Sequence, residues 1–297
     1  MTLYDEISNN NKLTILLFFL YSLFYGIVIF AFLLIIGIQP SLSIFLITFF
    51  VLLIVSCFFV FNAGSKIVLS VTGAKKLEKN EFPYVWHSIE ALSIGAGVPK
   101  PEVYVIESNA LNAFATGSDP KHSYIVLTTG IIKEMNRLEL EGVMAHELSH
   151  IKNYDIRTML AAAVMGMVIA LLADIGIRSL WYGGRREKRG GGILTLAALI
   201  FLMLAPFVSL LIKLAISRNR EYAADASAAM LTRYPDGLAN ALDKMKSKYE
   251  KNPKDMIMPG INDATRHLFI FDTGKSLTGL FSTHPPIDQR IKRLREL

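Results

Sequence analysis

Long apolar runs dominate the pattern of hydrophobic and polar positions in this chain of 297 residues. No Asp, Glu, Lys or Arg occurs between residues 13 and 65. The apolar runs cover residues 13–38, 42–61, 159–177 and 193–212, and each holds 19 to 26 residues. A bilayer core of about 30 Å is spanned by about 20 apolar residues in a helix. The pattern therefore predicts a membrane protein with four apolar, mostly transmembrane helices.

The rest of the chain has the pattern of a soluble α+β protein. Short runs rich in β-branched and aromatic residues predict strands at residues 103–106, 113–116 and 124–127. Apolar residues at helical spacing then predict one helix over residues 134–157. We therefore expect four segments in order: a transmembrane helical hairpin (1–65), a first soluble part (66–158), a second apolar helical hairpin (159–216) and a second soluble part (217–297).

Composition narrows the classes of protein and partner. Hydrophobic residues make up 52% of the chain and charged residues 19%, whereas soluble domains carry about 25% charge. A wholly soluble or disordered protein is thereby excluded. Cys57 is the single cysteine, which excludes disulfides and a multi-cysteine zinc site. The net charge is +6, but basic residues that flank apolar runs act as topology signals. We expect the lipid bilayer as a partner and no nucleic acid.

The chemistry-bearing motif lies in the predicted helix at residues 134–157. His146 and His150 are four residues apart, so both imidazoles lie on one helix face and can reach one metal ion. Glu147 lies beside that face, where it can take a proton from water activated by the metal. Two histidines, a carboxylate and an open position form the pattern of a catalytic zinc site.

Acidic residues downstream of this motif are candidates to support it. Glu221 and Asp225 share a helix face and are surrounded by alanines, which indicates close packing. Acidic side chains in a packed helix need a partner, and a metal with its ligand histidines is a suitable one. Asp155 and Asp225 can each accept the ring N–H of a ligand histidine. An ordinary place on the helix surface is the alternative for Asp155.

Several motifs together identify a family resemblance. Glu221 and Asp225 follow two apolar runs, residues 281–290 contain His284, two prolines and Arg290, and residues 112–117 read Asn-Ala-Phe-Ala-Thr-Gly. With the histidine motif, they resemble the HtpX family of membrane zinc metalloproteases, which is related to the CAAX-prenyl endopeptidases. The resemblance spans nearly the whole chain, including the paired N-terminal helices.

The resemblance implies a gluzincin-like zinc metalloendopeptidase with one Zn²⁺ per chain, whose peptidase domain is assembled from the two soluble parts. Glu147 is the implied general base. The implied zinc ligands are His146, His150 and Glu221. The family's role in membrane protein quality control implies protein or peptide substrates, among them misfolded membrane proteins, and a link to the stress response.

Supporting roles are assigned to three other residues. The resemblance suggests that Arg218 and His284 stabilise the oxyanion of the tetrahedral intermediate; a plain loop position before two prolines is the alternative for His284. Asn112 is expected to hydrogen-bond the substrate backbone, with turn capping as the alternative. The other histidines lack motif context, and we interpret them as ordinary residues.

Charge asymmetry predicts the topology. Ten Lys and Arg residues lie near the apolar ends on the side of the soluble parts, against five in the loop at residues 178–192. Basic loops stay in the cytoplasm. We therefore expect a multi-pass protein of the cell membrane with the catalytic domain and both termini in the cytoplasm, although the five basic residues of that loop oppose this assignment.

Two other functions stay open at this point. The first is a CAAX-type protease that processes prenyl-peptides, for which a deep enclosed cavity would argue. The second is a membrane scaffold whose zinc is purely structural, for which a fourth protein ligand closing the zinc shell would argue.

Overall fold

Two long helices form the N-terminal hairpin of the computed structural model, which describes residues 3–35, 39, 41–183, 218–258, 265–271 and 285–297. They are α1 (Leu3–Ile35) and α2 (Leu42–Val71). The segments Ile7–Phe30 and Leu42–Val71 are long and apolar enough to cross a membrane, as predicted for the first hairpin. Helix α2 continues past the expected boundary at residue 65.

Aromatic side chains join these two helices. The rings of Phe18 and Phe61 lie 5.4 Å apart, and those of Phe30 and Phe45 lie 5.8 Å apart. The outer side of α2 keeps large apolar side chains exposed, including Ile47, which suits contact with lipid. The hairpin is therefore packed on one side and apolar on the other.

A four-stranded sheet follows the hairpin. Its strands are β1 (Lys75–Lys76), β2 (Glu102–Ile106), β3 (Ala113–Asp119) and β4 (His122–Thr128), in the order β1-β2-β4-β3. Strands β2 and β4 are parallel, whereas β3 pairs antiparallel with β4. The three predicted strands are confirmed, with small extensions. Because β3 is the last strand of the sheet, one of its edges is not paired with another strand of the described residues.

Helix α3 (Pro83–Ala96) precedes β2, with Pro83 in its first turn. Gly97 ends this helix at a φ of +70°, a left-handed conformation that glycine adopts without strain.

The predicted single helix over residues 134–157 is wrong. The structure has α4 (Thr129–Glu134), α5 (Arg137–Lys152) and α6 (Asp155–Gly183). Two local features cause the division. Asn136 caps α5 in a reciprocal hydrogen-bonded box with Glu139, and Tyr154 adopts a left-handed φ of +61° that ends the helical path.

The turn at Tyr154 redirects the chain by 86° between α5 and α6. Helix α5 packs against β3 and β4, while α6 packs against β3 and also against α1 and α2. Taken together, α5 and the first part of α6 are long and apolar enough to cross a membrane as one bent pair. The described residues therefore contain two candidate spans, or three if that pair is counted. The predicted fourth apolar run at residues 193–212 lies outside the described residues.

The C-terminal helices enclose α5. They are α7 (Arg218–Thr232), α8 (Pro235–Lys251) and α9 (Ile287–Arg295), with short 3₁₀ turns at Pro253–Met256 and Arg266–Leu268. A Cβ added to Gly142 would lie 2.6 Å from the backbone nitrogen of Leu238, so glycine is required where α5 and α8 approach. Helix α5 is consequently buried between the sheet and α7, α8 and α3.

Candidate metal centre

Two histidines on α5 form one side of the candidate centre. The Nε2 atoms of His146 and His150 lie 3.2 Å apart, and both side chains are buried. One helical turn separates the two residues, so the regular path of α5 places both rings on the same face. The predicted pairing of these imidazoles is present in the structure.

Glu221 on α7 faces the same point. Its Oε1 lies 3.5 Å from Nε2 of His150, and its Oε2 lies 3.8 Å from Nε2 of His146. The buried Ala224 and Ala228 allow α7 to approach α5 closely. One donor atom from each of the two histidines and Glu221 falls within 4.8 Å of the others.

A carboxylate holds the far side of each histidine ring. Asp155 lies 2.8 Å from Nδ1 of His150, and Asp225 lies 3.0 Å from Nδ1 of His146. A histidine that donates its Nδ1–H in this way presents the lone pair of Nε2 to a metal. Both aspartates therefore occupy the positions proposed from the sequence.

The donor set fits a zinc ion. Two imidazole nitrogens and a carboxylate oxygen are ordinary zinc ligands, with bonds of about 2.0–2.1 Å in tetrahedral geometry. Donors at the corners of such a tetrahedron lie about 3.3–3.4 Å apart. The distances of 3.2, 3.5 and 3.8 Å between the three donors are close to this value.

Arg290 on α9 also belongs to the site, although no role was predicted for it from the sequence. Its side chain is buried and grips Asp225 at two points, with Nε 2.8 Å from Oδ2 and Nη2 2.7 Å from Oδ1. Nη1 also lies 3.6 Å from Oε2 of Glu221. The sequence holds a signal for it: Arg290 falls on the stripe formed by the buried Ile291 and Leu294 and the half-buried Ile287, where an arginine needs a buried partner.

Glu147 is buried within the domain between the sheet and the ligand helices. Burial, reinforced by the negative charge of Glu221, raises the pKa of Glu147 to about 7. The backbone N–H of Ala115 on β3 and the positive charges of His150 and Arg290 act in the opposite direction on this pKa. A carboxylate that titrates near neutral pH is suited to accept and return a proton.

Opposing effects set the pKa values of the flanking groups. Burial disfavours the charged imidazole of His150, but the hydrogen bond that its Nδ1–H donates to Asp155 and the charge of Glu221 outweigh burial and raise the pKa of His150 to about 9. Burial also disfavours the carboxylate of Asp225, but Arg290 lowers its pKa to about 2. Asp225 is therefore ionised at neutral pH.

Asn112 forms a clasp with the segment at residues 265–271. Its Nδ2 donates to the carbonyl of Phe271 at 2.8 Å, and its Oδ1 accepts from the N–H of Phe271 at 3.1 Å. The N–H of Ile270 donates to the carbonyl of Ala113 at 2.9 Å. The start of β3 is thus lined by this segment, and both ends of the Asn112 amide are engaged by it.

Of the two residues predicted to stabilise the oxyanion, Arg218 is among the described residues and His284 is not. Arg218 is exposed at the first position of α7, three residues before Glu221. His284 lies outside the described residues, immediately before the described segment that begins at Pro285.

Comparisons with known proteins agree with this geometry. Residues 79–297 match peptidase family M48. The protease HtpX homolog of Dictyoglomus thermophilum is 42% identical over 99% of this chain and 94% of its own length. The protease HtpX homolog of Thermoanaerobacter pseudethanolicus is 47% identical over 80% of this chain and 79% of its own length.

A solved structure resembles the fold. The crystal structure of Ste24p from S. mikatae has a TM-score of 0.52 and 21% identity, covering 91% of this chain and 62% of the Ste24p chain. This likeness concerns the fold alone. The match to the family over most of the chain and the identity to full-length relatives show that the chain belongs to peptidase family M48 and is related to the membrane proteases named HtpX.

Proposed function

We propose that this membrane protease is a zinc-dependent endopeptidase with His146, His150 and Glu221 as the ligands of one zinc ion. The observation that carries the proposal is the convergence of three buried donors from α5 and α7 at 3.2–3.8 Å from one another. Each histidine also has a carboxylate on its Nδ1 side, which orients the ring for a metal. The gluzincin-like description rests on this arrangement, in which the third ligand is a glutamate from a separate helix.

Glu147 is the general base of the proposed reaction. Its carboxylate is buried within the same domain as the proposed ligands, where it can take a proton from the attacking water and pass that proton to the leaving amine. Zinc bound at the three ligands would supply a Lewis acid that polarises the scissile carbonyl. Arg218 and His284 remain the proposed stabilisers of the oxyanion. Asn112 would contact the substrate backbone only by exchanging the bonds that its buried amide makes with Phe271.

An open coordination position favours catalysis over a structural metal. Among the residues that the structure describes, the group able to hold a metal has three members, His146, His150 and Glu221. Asp155 and Asp225 contact the Nδ1 atoms of His150 and His146, so they lie on the side of each ring that faces away from the metal position. Three protein ligands with a free fourth place are typical of catalytic zinc, whereas structural zinc has four.

The membrane location bears on the substrates. Helix α5, which carries both histidines, continues through one turn into α6, and α6 packs on the two N-terminal helices. A metal centre joined so closely to membrane helices would act near the bilayer surface. We therefore expect proteins of the cell membrane, in particular misfolded ones exposed on the cytoplasmic side, as substrates in quality control.

The test uses the purified full chain in detergent with an unfolded membrane protein as substrate. Cleavage should require zinc, stop with a chelator and return when zinc is added back. A short peptide with a prenylated C-terminus serves as a second substrate. Preference for that peptide would replace the proposal by a CAAX-type activity, and a zinc-loaded protein inactive on both substrates would overturn it in favour of a structural metal.

A further inference from the structure

One buried side chain of the first membrane helix contacts both the turn that follows α5 and the start of α7, the two helices that carry the proposed metal ligands. Asn10 on α1 donates from Nδ2 to Oδ1 of Asp155 at 2.6 Å and to the carbonyl of Asn153 at 2.9 Å. Its Oδ1 accepts from Nη1 of Arg220 at 2.9 Å. Asn153 and Asp155 flank the turn between α5 and α6, whereas Arg220 belongs to α7.

These contacts lie one step behind the ligands. Asp155 uses its other oxygen, Oδ2, to hold Nδ1 of His150 at 2.8 Å. Arg220 directly precedes Glu221 on α7 and lies 3.6 Å from Oδ1 of Asp155. Asn10 therefore contacts Asp155, which holds the proposed ligand His150, and Arg220, which precedes the proposed ligand Glu221 in the chain.

The amide of Asn10 is used at both ends. Its two N–H groups face two acceptors, a carboxylate and a carbonyl, and its oxygen faces a guanidinium donor. An amide turned by 180° would set its oxygen against both acceptors, so the partners fix its orientation. Asn10 is 3% exposed and lies within the candidate span Ile7–Phe30, where a polar side chain is costly unless it is paired.

We infer that Asn10 is a positioning residue that makes the first membrane helix a structural part of the metal centre. The inference rests on the proposed zinc site. By holding Asp155 against His150, and Arg220 at the start of α7, the amide fixes the separation between ligands that come from two different helices. Loss of a group behind a ligand costs about 10–100-fold in metal affinity or activity. Asn10 is one contact further from the metal than such a group. We therefore expect its loss to weaken zinc affinity by about tenfold, the lower end of that range.

Two neighbouring positions on α1 provide matched controls. Asn11 is the next residue, and its Oδ1 accepts from Nη1 of Arg157 at 3.0 Å without contact to the ligand supporters. The hydroxyls of Thr14 and Thr158 lie 2.9 Å apart and join α1 to α6. Asn11→Ala thus repeats the same chemical change at the next position. Thr14→Val removes the contact to Thr158 and the bond that Thr14 donates to the backbone carbonyl of Asn10, but it leaves the side-chain amide of Asn10 in place.

The experiment compares the full chain with Asn10→Ala, Asn10→Leu and the two controls, all purified in detergent. Leucine has the branching and the number of side-chain heavy atoms of asparagine and suits a membrane helix. Asn10→Leu therefore removes the hydrogen bonds while filling the site, whereas Asn10→Ala removes them without added bulk. Zinc affinity is measured by competition with a chromogenic chelator. Cobalt is then substituted for zinc, because its visible absorption reports the arrangement of the ligands and does not respond to a mere loss of stability.

Both Asn10 variants should bind zinc about tenfold more weakly and show an altered cobalt spectrum. Their kcat should fall with little change in KM, because the group acts behind the metal and not on substrate. The controls should stay within about twofold in affinity. Asn10 variants with the affinity and spectrum of the controls would overturn the inference while leaving the zinc site intact. A parent chain that binds no zinc would refute the proposed function itself.

Discussion

Arg290 and Asp225 form a buried two-point ion pair, with Nε 2.8 Å from Oδ2 and Nη2 2.7 Å from Oδ1. Asp225 also lies 3.0 Å from Nδ1 of His146. Helix α9 is therefore connected to the proposed ligand His146 through Asp225, and Arg290 also lies 3.6 Å from the proposed ligand Glu221. Since a buried charge without a partner is strongly destabilising, the arginine and the aspartate depend on each other.

Replacement of Arg290 by methionine should destabilise the fold and disturb the metal centre. The change leaves the carboxylate of Asp225 buried without its cation, at a cost of about 3–5 kcal/mol in the free energy of unfolding. Denaturant or thermal unfolding of the purified variant measures this cost. Arg295→Met is the control, because Arg295 on the same helix is exposed and should change stability by less than about 0.5 kcal/mol.

The double variant Arg290→Met with Asp225→Asn tests the cause of that loss. The asparagine removes the unpaired charge but keeps an oxygen near His146. It should recover part of the stability lost in the single variant. If Arg290→Met had the same free energy of unfolding as the parent protein, the ion pair would not stabilise the fold as its burial indicates.

Glu147→Gln should abolish cleavage while the metal stays bound. The glutamine has nearly the same shape but cannot accept a proton, and loss of a general base lowers turnover by about 10²–10⁴-fold. Metal content and turnover are measured on the same preparation. Glu141→Gln on the same helix, where Glu141 pairs with Arg137, should keep its activity. Turnover above a few per cent in Glu147→Gln would contradict the assignment.

Local sequence signals predicted the parts of the site that depend on regular geometry. The spacing of His146 and His150 is a property of any helix, and the strands at residues 103–106, 113–116 and 124–127 follow from β-branched composition. The same holds for Asp155 and Asp225 as partners of the two histidines, because aspartates near a ligand can be recognised from sequence distance.

Features that depend on distant contacts could not be predicted in this way. The left-handed residue Tyr154 and the 86° turn between α5 and α6 have no glycine or proline to mark them. Nothing in the sequence distinguishes Asn10 from Asn9 and Asn11, since its role arises from partners up to 210 residues away. The clasp between Asn112 and Phe271 likewise joins segments that are separate in sequence.

Zinc binding should release a proton from the metal-free protein at pH 8. His150 has a pKa of about 9 in the metal-free protein, because the hydrogen bond that its ring donates to Asp155 and the charge of Glu221 outweigh the effect of burial. At pH 8 its imidazole is mostly protonated, whereas zinc needs the neutral ring. Affinity should therefore rise with pH, by up to about tenfold per unit, until it levels off near pH 9.

Calorimetry in two buffers of different ionisation enthalpy measures this proton. At pH 8 Glu147, with a pKa of about 7, is already largely ionised and contributes little. Asp155→Asn is the matched variant, because the neutral amide removes the main cause that raises the pKa of His150. On zinc binding at pH 8, the Asp155→Asn variant should release clearly less than one proton. Equal proton release in the parent and in Asp155→Asn would refute this explanation.

Both termini and the turn between β3 and β4 are expected in the cytoplasm. This topology follows from an even number of crossings and from the ten-to-five distribution of basic residues. Cys57 is the single native cysteine, so its replacement by alanine gives a background for cysteines introduced at Thr2, next to Met1, and at Lys121 and Leu297. An impermeant thiol reagent should label none of them in intact cells and all of them after lysis. Strong labelling at Lys121→Cys in intact cells would reverse the assignment.

Glu221, and not His284, should be the third zinc ligand. Glu221 lies on a regular helix whose packing on α5 sets its oxygens 3.5 and 3.8 Å from the two Nε2 atoms. A carboxylate also lowers the net charge of a site with Zn²⁺ and two neutral imidazoles from +2 to +1. His284 precedes two prolines and lies outside the described residues, and the proposed role for it is contact with the oxyanion.

Metal analysis of two variants separates these roles. Glu221→Ala removes a ligand, so it should purify with little zinc, a larger loss than the roughly 10–100-fold typical of groups behind a ligand. His284→Ala should retain its zinc and lose turnover, because stabilisation of an oxyanion contributes about 10²–10³-fold to the rate. Retention of the fold in both variants is checked by thermal unfolding. A zinc-replete Glu221→Ala beside a zinc-free His284→Ala would exchange the two assignments, because the ligand is the residue whose loss empties the site.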